Sequence, residues 1–200
     1  MTKRLASGRH HLTRDEVAAD QRRRLFKALA AVMVEKGYTN TTVEDLIKHA
    51  QVSRATFYQH FDSKQDCFMS GYARSQRLII EFIMAVPEAG TAMQRFGVML
   101  SKYLGYMAHD PATARLFLVE VYAAGPEAMQ RRLELQQEFV VGVANIFKIH
   151  TQADRFACQA LVAAISTLVT NALIAGDADA VRALDKPILE FAERVLGGSV

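Results

Sequence analysis

The chain has 200 residues and a mass of 22.2 kDa; half of the residues are hydrophobic and 22% are charged. These values argue against a peptide hormone, a wholly disordered chain and a multi-span membrane protein. Four prolines and eleven glycines leave few breaks for a many-stranded sheet, so the composition predicts an all-α protein with long helices.

Charge is distributed unevenly along the chain. Residues 1–80 contain 14 Lys or Arg and 8 Asp or Glu, a net charge of +6, whereas residues 81–200 contain 10 and 13, a net charge of −3. A basic first part suits contact with nucleic acid, and the more apolar remainder suits an uncharged partner. An imbalance of this size also occurs on ordinary protein surfaces, so charge alone leaves both interpretations open.

Three further features bear on location and metal binding. The two cysteines, Cys67 and Cys158, match no metal-ligand spacing and are predicted to be reduced thiols in apolar surroundings, with no metal site. Residues 1–11 are charged and no apolar run follows them, which predicts a cytoplasmic protein without a secretory signal. The uncharged segment 157–176 could formally cross a bilayer, but five polar residues interrupt it, so we predict an internal or interface helix.

The first predicted helix begins after Thr13, which stands three residues before Glu16 in the pattern of a capping box. Apolar residues recur at helical spacing from Val17 to Met33, and Gly37 is a suitable C-cap, so the helix is expected to end near Lys36. Its other face is basic: Arg22, Arg23, Arg24 and Lys27.

Two short helices follow and form a helix-turn-helix. The first begins near Thr41, with Glu44 at capping-box spacing, and the second is capped by Ser53 and covers residues 54–61. Phe57 and Phe61 lie four residues apart and can anchor the second helix in a core. The opposite face stays free for a partner and carries Arg54, Thr56, Tyr58, Gln59 and His60.

Six helices are predicted after the helix-turn-helix. Ser63 and Asp66 cap a long helix that ends before Pro87. The other five are predicted at residues 91–109, 111–124, 126–150, 152–176 and 178–196.

Two stretches of the helix-turn-helix carry a specific resemblance. Residues 37–43 read Gly-Tyr-Thr-Asn-Thr-Thr-Val, and residues 52–64 read Val-Ser-Arg-Ala-Thr-Phe-Tyr-Gln-His-Phe-Asp-Ser-Lys. In order and spacing, residues 22–72 closely resemble the TetR (tetracycline-repressor-like) family of bacterial transcriptional regulators. Residues 8–14 and 119–128 also look like an actinobacterial subset of such regulators. One position departs from the family, because Gln51 occupies the turn position usually given to glycine.

The resemblance implies an all-α, ligand-responsive DNA-binding homodimer. It implies a repressor, since repression is the commoner activity in this family. It implies a DNA-binding domain over residues 1–63 with a basic amino-terminal arm, and a six-helix effector-binding and dimerisation domain over residues 64–200. A short recognition helix binds weakly by itself, so physical reasoning also expects a dimer that reads two half-sites of a palindrome about 34 Å apart.

Arg54 is the leading candidate for reading a base, because its planar fork matches the O6 and N7 acceptors of guanine; a phosphate contact is the alternative. Thr56 and Gln59 can also reach base edges, and Ser53 and Ala55 lie on the same predicted interface. By the family pattern, phosphate contacts are implied for Thr42, Tyr58, His60 and Lys64. An arm with Lys3, Arg4 and Arg9 either enters the minor groove or is a disordered tail.

For the ligand, the sequence predicts a mainly apolar cavity and an uncharged or amphipathic apolar effector. The candidate residues are Tyr72, Phe96, Met99, Tyr103, Met107, Phe117, Glu120, Tyr122, Phe139 and Asn171, and for the apolar ones a plain core position is the alternative. The resemblance implies that the effector shifts the helix that begins at Ser63 and thereby respaces the recognition helices.

The helices at 152–176 and 178–196 are predicted to form a four-helix bundle across a two-fold axis. Ala160, Ala163, Ala164 and Thr167 would permit close approach there, and packing within one protomer is the alternative.

Two other classes of function are an enzyme and a binding module. The sequence has no nucleophile elbow, zincin helix, phosphate-binding loop or dinucleotide fingerprint, so neither an enzyme nor a cofactor is predicted. The second alternative is a helical ligand- or protein-binding module that has lost specific DNA binding, and Gln51 is the feature that favours it.

Overall fold

The computed structural model describes residues 13–197, and within that range it is all-α, as the sequence predicts. In chain order, the elements are α1 Arg14–Asn40, α2 Val43–Ala50, α3 Arg54–His60, α4 Lys64–Met84, α5 Ala92–His109, α6 Pro111–Leu118, a 3-10 helix Glu120–Ala124, α7 Pro126–Phe147, α8 Gln152–Ala175, α9 Ala178–Ala183 and α10 Asp185–Leu196.

Helices α1, α2 and α3 pack together at the amino-terminal end of the described chain. The side chains of Leu25 on α1, Leu46 on α2 and Phe57 on α3 are fully buried. A seven-residue helix cannot hold itself together in water, so the burial of Phe57 is what fixes the orientation of α3.

Helix caps follow the sequence closely. Thr13 and Glu16 form the predicted capping box, and the hydroxyls of Ser53 and Ser63 accept from the backbone N–H three residues on. Gly37 has φ 73° and breaks α1 where a C-cap is predicted. The cap of α2 was predicted one residue early: Thr42 is the N-cap, with Asp45 as its partner.

The turn between α2 and α3 is built on Gln51, which has φ 53° and ψ 49° in the left-handed region. Val52 N–H donates to the Ile47 carbonyl and Gln51 N–H to the Lys48 carbonyl, the pattern of a Schellman motif. Arg24 on α1 donates to the carbonyls of Ala50 and Gln51 at 3.0 and 3.2 Å. The turn therefore keeps its geometry with glutamine at this position.

Glycine at position 51 is expected to stabilise the protein. A left-handed non-glycine residue costs about 1–2 kcal/mol, and glycine gives back about 0.4–1 kcal/mol as extra freedom of the unfolded chain. Gln51→Gly should therefore raise the free energy of unfolding by up to about 1 kcal/mol in urea titrations. The control Gln51→Ala keeps the strained conformation and should give no gain; a less stable glycine variant would contradict this assignment.

The second part of the chain departs from the predicted six helices at three places. Residues 111–124 form α6 and then the 3-10 helix, because α6 ends at Leu118. Residues 178–196 form α9 and α10, because Pro187 has no N–H to donate and its ring disfavours continuous helix through Ala183. Helix α7 ends at Phe147 rather than near residue 150, since Lys148 is left-handed.

Helix α4 joins the two parts of the molecule. It packs on α1 as well as on α5 and α7. At the contact with α1, a Cβ on Gly71 would lie 2.9 Å from the Phe26 ring, so glycine allows the two helices to approach closely.

Helix α8 packs on α6, α7, α9 and α10. By length and composition it is apolar enough to cross a membrane, a test that core helices of soluble proteins also pass.

Candidate nucleic-acid interface and buried cavity

Helix α3 divides into a buried and an open face. Phe57 and, at its end, Phe61 point into the core. Arg54, Ala55, Tyr58 and Gln59 are exposed, together with the cap residue Ser53. The face that is predicted to meet DNA is therefore free in the protomer.

Arg54 is the most accessible cation on this face, since 65% of its side chain is exposed. Its guanidinium lies 4.0 Å from the Glu44 carboxylate on α2, which is also exposed. A solvated pair of this kind contributes little to stability, so Arg54 can leave Glu44 for another partner at small cost.

Two hydroxyls of the predicted interface already have partners. Thr56 is half-buried, and its hydroxyl lies 2.8 Å from that of Ser53. The Thr42 hydroxyl donates to Asp45 Oδ2 at 2.7 Å. Hydrogen bonds from Lys36 and Thr42 lower the pKa of Asp45 to about 2, so the carboxylate that holds this cap is charged at neutral pH.

His60 is half-buried and does not face outward with the exposed residues of α3. Its Nε2 lies 2.8 Å from Gln21 Oε1, and its Nδ1 accepts from Arg22 Nε at 3.4 Å. Burial and the Arg22 charge lower the pKa of His60, which favours the neutral ring. In the protomer His60 therefore joins α3 to α1, and its phosphate contact stays a prediction.

Lys64 is also engaged within the protein. Its Nζ donates to the Tyr38 carbonyl at 2.7 Å and lies 4.2 Å from the centre of the Tyr38 ring. Burial lowers the pKa of Lys64. The ammonium has three donors, so this bond leaves two for a phosphate oxygen.

The basic face of α1 is partly neutralised. Asp20 pairs with Arg23 and Arg24, and these bonds lower its pKa. Of the other basic candidates, Lys3, Arg4 and Arg9 lie outside the described residues.

A cavity of about 80 Å³ lies between helices α4 to α8. Since about 10–15 Å³ of such space holds one water, it accommodates several atoms of a slender ligand. Seven of the predicted ligand-binding residues line it: Tyr72, Phe96, Met99, Tyr103, Met107, Phe117 and Phe139.

Three predicted ligand residues lie elsewhere. Glu120 accepts the backbone N–H of Tyr38 at 2.7 Å and so ties the 3-10 helix to the end of α1. Asn171 is exposed on α8 and Tyr122 is exposed on the 3-10 helix. Each of these residues lies on a short or amphipathic helix, and the spacing of its apolar residues did not determine which side of the helix faces the cavity.

Several lining residues were not predicted, and two of them are buried polar side chains. Gln76 and Arg132 line the wall and are 2% and 8% exposed. The signal was present: Gln76 falls on the stripe that contains Tyr72, Ile79 and Ile83, and Arg132 stands four residues after buried Ala128. A charged side chain inside the cavity favours an amphipathic effector over the uncharged one, the other type that the sequence predicts.

Among residues 13–197, no group of three or more His, Cys, Asp or Glu side chains is arranged to hold a metal ion. Cys67 and Cys158 are buried free thiols, and burial raises the pKa of Cys67 to about 12.

Comparison with known proteins agrees with this geometry. Residues 25–70 match the family model for bacterial regulatory proteins of the tetR family. The fatty acid metabolism regulator protein of Bacillus subtilis is 28% identical over 61% of this chain and 61% of its own length. The transcriptional activator FasR of Mycolicibacterium smegmatis is 27% identical over 59% of this chain and 52% of its own length. The chain thus spans about half to three-fifths of these curated relatives.

Solved structures show the same fold. The regulator FadR from Bacillus subtilis in complex with stearoyl-CoA aligns with a TM-score of 0.74 and 21% identity, covering 88% of this chain and 98% of that one. FadR from Bacillus halodurans aligns with a TM-score of 0.75 and 20% identity, covering 89% and 95%.

An all-α fold with an amino-terminal helix-turn-helix and a helical carboxy-terminal part is the architecture that this chain shares with these solved regulators. The amino-terminal part of this chain, residues 25–70, thus matches the tetR family of bacterial regulatory proteins, and its described fold is similar to that of the solved FadR structures.

Proposed function

We propose that the protein is a cytoplasmic, ligand-responsive repressor that binds a palindromic operator as a homodimer through α3 and is released by a mainly apolar small molecule. The observation that carries the proposal is the exposed polar face of α3 on a helix whose other face is anchored by Phe57. Such a helix fits the width of a major groove.

The dimer is proposed to form through α8 and α10. The exposed faces of these two helices carry large apolar side chains. On α8, Phe156 is 70% and Ile174 57% exposed, and Leu168 is exposed as well; on α10, Phe191 is exposed. Ala160, Ala163, Ala164 and Thr167 are exposed too, which supports close helix approach between protomers over packing within one. Asn171 lies on this same face.

A continuous set of aromatic contacts supports coupling between the cavity and α1. Ring centres lie 5.3 Å apart for Tyr38 and Phe68, 5.5 Å for Phe68 and Tyr72, and 5.2 Å for Tyr72 and Phe117. Tyr72 and Phe117 line the cavity, whereas Tyr38 lies at the end of α1. A ligand that displaces Tyr72 or Phe117 would therefore move α4 against the DNA-binding helices.

The alternative, a module that has lost DNA binding, is weakened by the turn geometry. Gln51 was the feature in its favour, yet the Schellman motif and the Arg24 bonds are intact around it.

DNA binding is tested by selecting duplexes from a random library and measuring gel shifts of the selected sequence as salt rises. A regulator that makes six to ten phosphate contacts should lose about 10³–10⁵ in affinity between 50 and 200 mM salt, and the selected site should be palindromic. Failure to enrich any sequence at low salt would favour the module without DNA binding.

Arg54→Ala and Lys64→Ala are expected to differ in kind. Loss of a base contact by Arg54 should cost about 1–3 kcal/mol on the selected site and much less on random DNA, whereas loss of Lys64 should weaken both alike. Exposed Lys148 at the end of α7, outside the proposed interface, provides a matched control, Lys148→Ala, which should change neither. Equal losses on selected and random DNA for both variants would contradict this division of roles.

A further inference from the structure

The cavity contains one buried cation without an anion. Arg132 is 8% exposed, and its Nη2 donates to the Ser166 hydroxyl at 3.1 Å. Its Nε is buried and has no hydrogen-bond partner. Within residues 13–197, no carboxylate forms an ion pair with it.

A buried charge without a counterion destabilises the folded protein, so binding of a negatively charged ligand to such a group is favourable. The neighbouring arginine is different: Arg131 pairs with Glu134 at 3.1 Å and donates to Gln76 Oε1 at 3.1 Å. Those groups satisfy Arg131. Among the described residues, Arg132 contacts the Ser166 hydroxyl and the Tyr122 ring, whose centre lies 5.1 Å from its guanidinium carbon, and neither carries a negative charge.

A second donor at the same end of the cavity is also unpaired. Gln76 is 2% exposed, and its amide Nε2 has no partner, although its Oε1 is occupied by Arg131. Gln76 and Arg132 both line the cavity. A carboxylate group can accept hydrogen bonds from two such unpaired donors, and the bond from the charged donor is the stronger one.

The rest of the wall is long and apolar. Along α7 it runs from Arg132 to Val143, about 16 Å at the helical rise of about 1.5 Å per residue. The contact of Arg131 with Gln76 marks the polar end of the cavity. The contact of Gly142 with Met84, further along both helices, marks the apolar end, which is lined by Phe96, Ile83 and Val143. With C–C bonds of about 1.52 Å, an extended chain of about twelve carbons spans a similar length.

We propose that the effector is an aliphatic monocarboxylate, with its carboxylate on Arg132 and Gln76 and its chain directed toward Ile83. The inference rests on the proposed function and specifies the ligand of that cavity. Arg132 is the one charged side chain among the lining residues that the structure describes, so the site fits a single negative charge. A coenzyme A thioester carries several charges and no carboxylate at the acyl end, and is the competing ligand in the test.

Binding is measured by calorimetry with dodecanoate, dodecan-1-ol and dodecanoyl-CoA on the full chain. Dodecanoate should bind, and dodecan-1-ol should bind at least tenfold more weakly. Arg132→Met should weaken dodecanoate about 10- to 150-fold, as expected for a lost charged hydrogen bond, and leave dodecan-1-ol nearly unchanged. The exposed control Arg155→Met should match the wild type.

A folding defect is separated from a binding defect by the melting temperature of the ligand-free variant. Removal of an unpaired buried charge should leave it equal to that of the wild type or higher. The proposal is overturned if dodecan-1-ol binds as tightly as dodecanoate, if Arg132→Met binds dodecanoate like the wild type, or if only dodecanoyl-CoA binds.

Gel shifts with the selected duplex distinguish this failure from failure of the proposed function. Absence of dodecanoate binding with intact DNA binding overturns the carboxylate and leaves the regulator. Dodecanoate binding that depends on Arg132 but does not release DNA supports the carboxylate site and contradicts its role as effector site.

Discussion

Ile174→Asp on the exposed face of α8 is expected to give a folded monomer that binds the operator about 10²–10⁴-fold more weakly than the wild type. Ile174 is 57% exposed in the protomer, so aspartate costs the monomer little. In the proposed bundle it would bury an unpaired charge at the two-fold axis, which is strongly unfavourable. A monomer then loses the advantage of binding two half-sites at once.

Light scattering gives the mass, and gel shifts give the affinity. Leu133→Asp on α7 is the matched control, since Leu133 is exposed to a similar extent on a helix outside the proposed interface. It should remain dimeric. A dimeric Ile174→Asp variant with normal affinity would show that the apolar face of α8 is not the interface.

Phe57→Ala is expected to lower the free energy of unfolding by about 3–5 kcal/mol, as truncation of a fully buried aromatic residue does. Phe57 packs on Phe61, with ring centres 5.8 Å apart, and is the only residue of α3 that is buried in the described chain. Its loss should therefore release α3 and remove sequence-specific DNA binding as well.

Urea titrations followed by circular dichroism measure the stability change. Gln59→Ala, two residues on and exposed, is the control and should shift stability by less than about 0.5 kcal/mol. A loss below 1 kcal/mol for Phe57→Ala would mean that other contacts hold α3.

Sequence reasoning succeeded where the information is local. Thr13 and Ser53 cap their helices through atoms three residues away, and the stripe from Phe96 to Met107 faces one way because of helical period. These features depend on neighbours in sequence, so the order of the helices and seven residues of the cavity wall could be predicted.

It failed where the partner is distant. Glu120 meets Tyr38, 82 residues away, and His60 meets Gln21, 39 residues away. No local pattern contains these pairs, so Glu120 was placed in the cavity and His60 on the open face. Arg132 was missed for a different reason: charged residues are seldom fully buried, so none was expected in the cavity, although the spacing of Arg132 from Ala128 is that of a core position.

The central claim is that the open side of α3 lies against DNA. A photo-reactive benzophenone amino acid placed at Gln59, and in a separate control at exposed Gln137 on α7, tests it directly. With the selected duplex and ultraviolet light, the variant at position 59 should crosslink to the operator and the variant at position 137 should not. Crosslinking at 137 without any at 59, under conditions where both variants bind the duplex, would contradict the account.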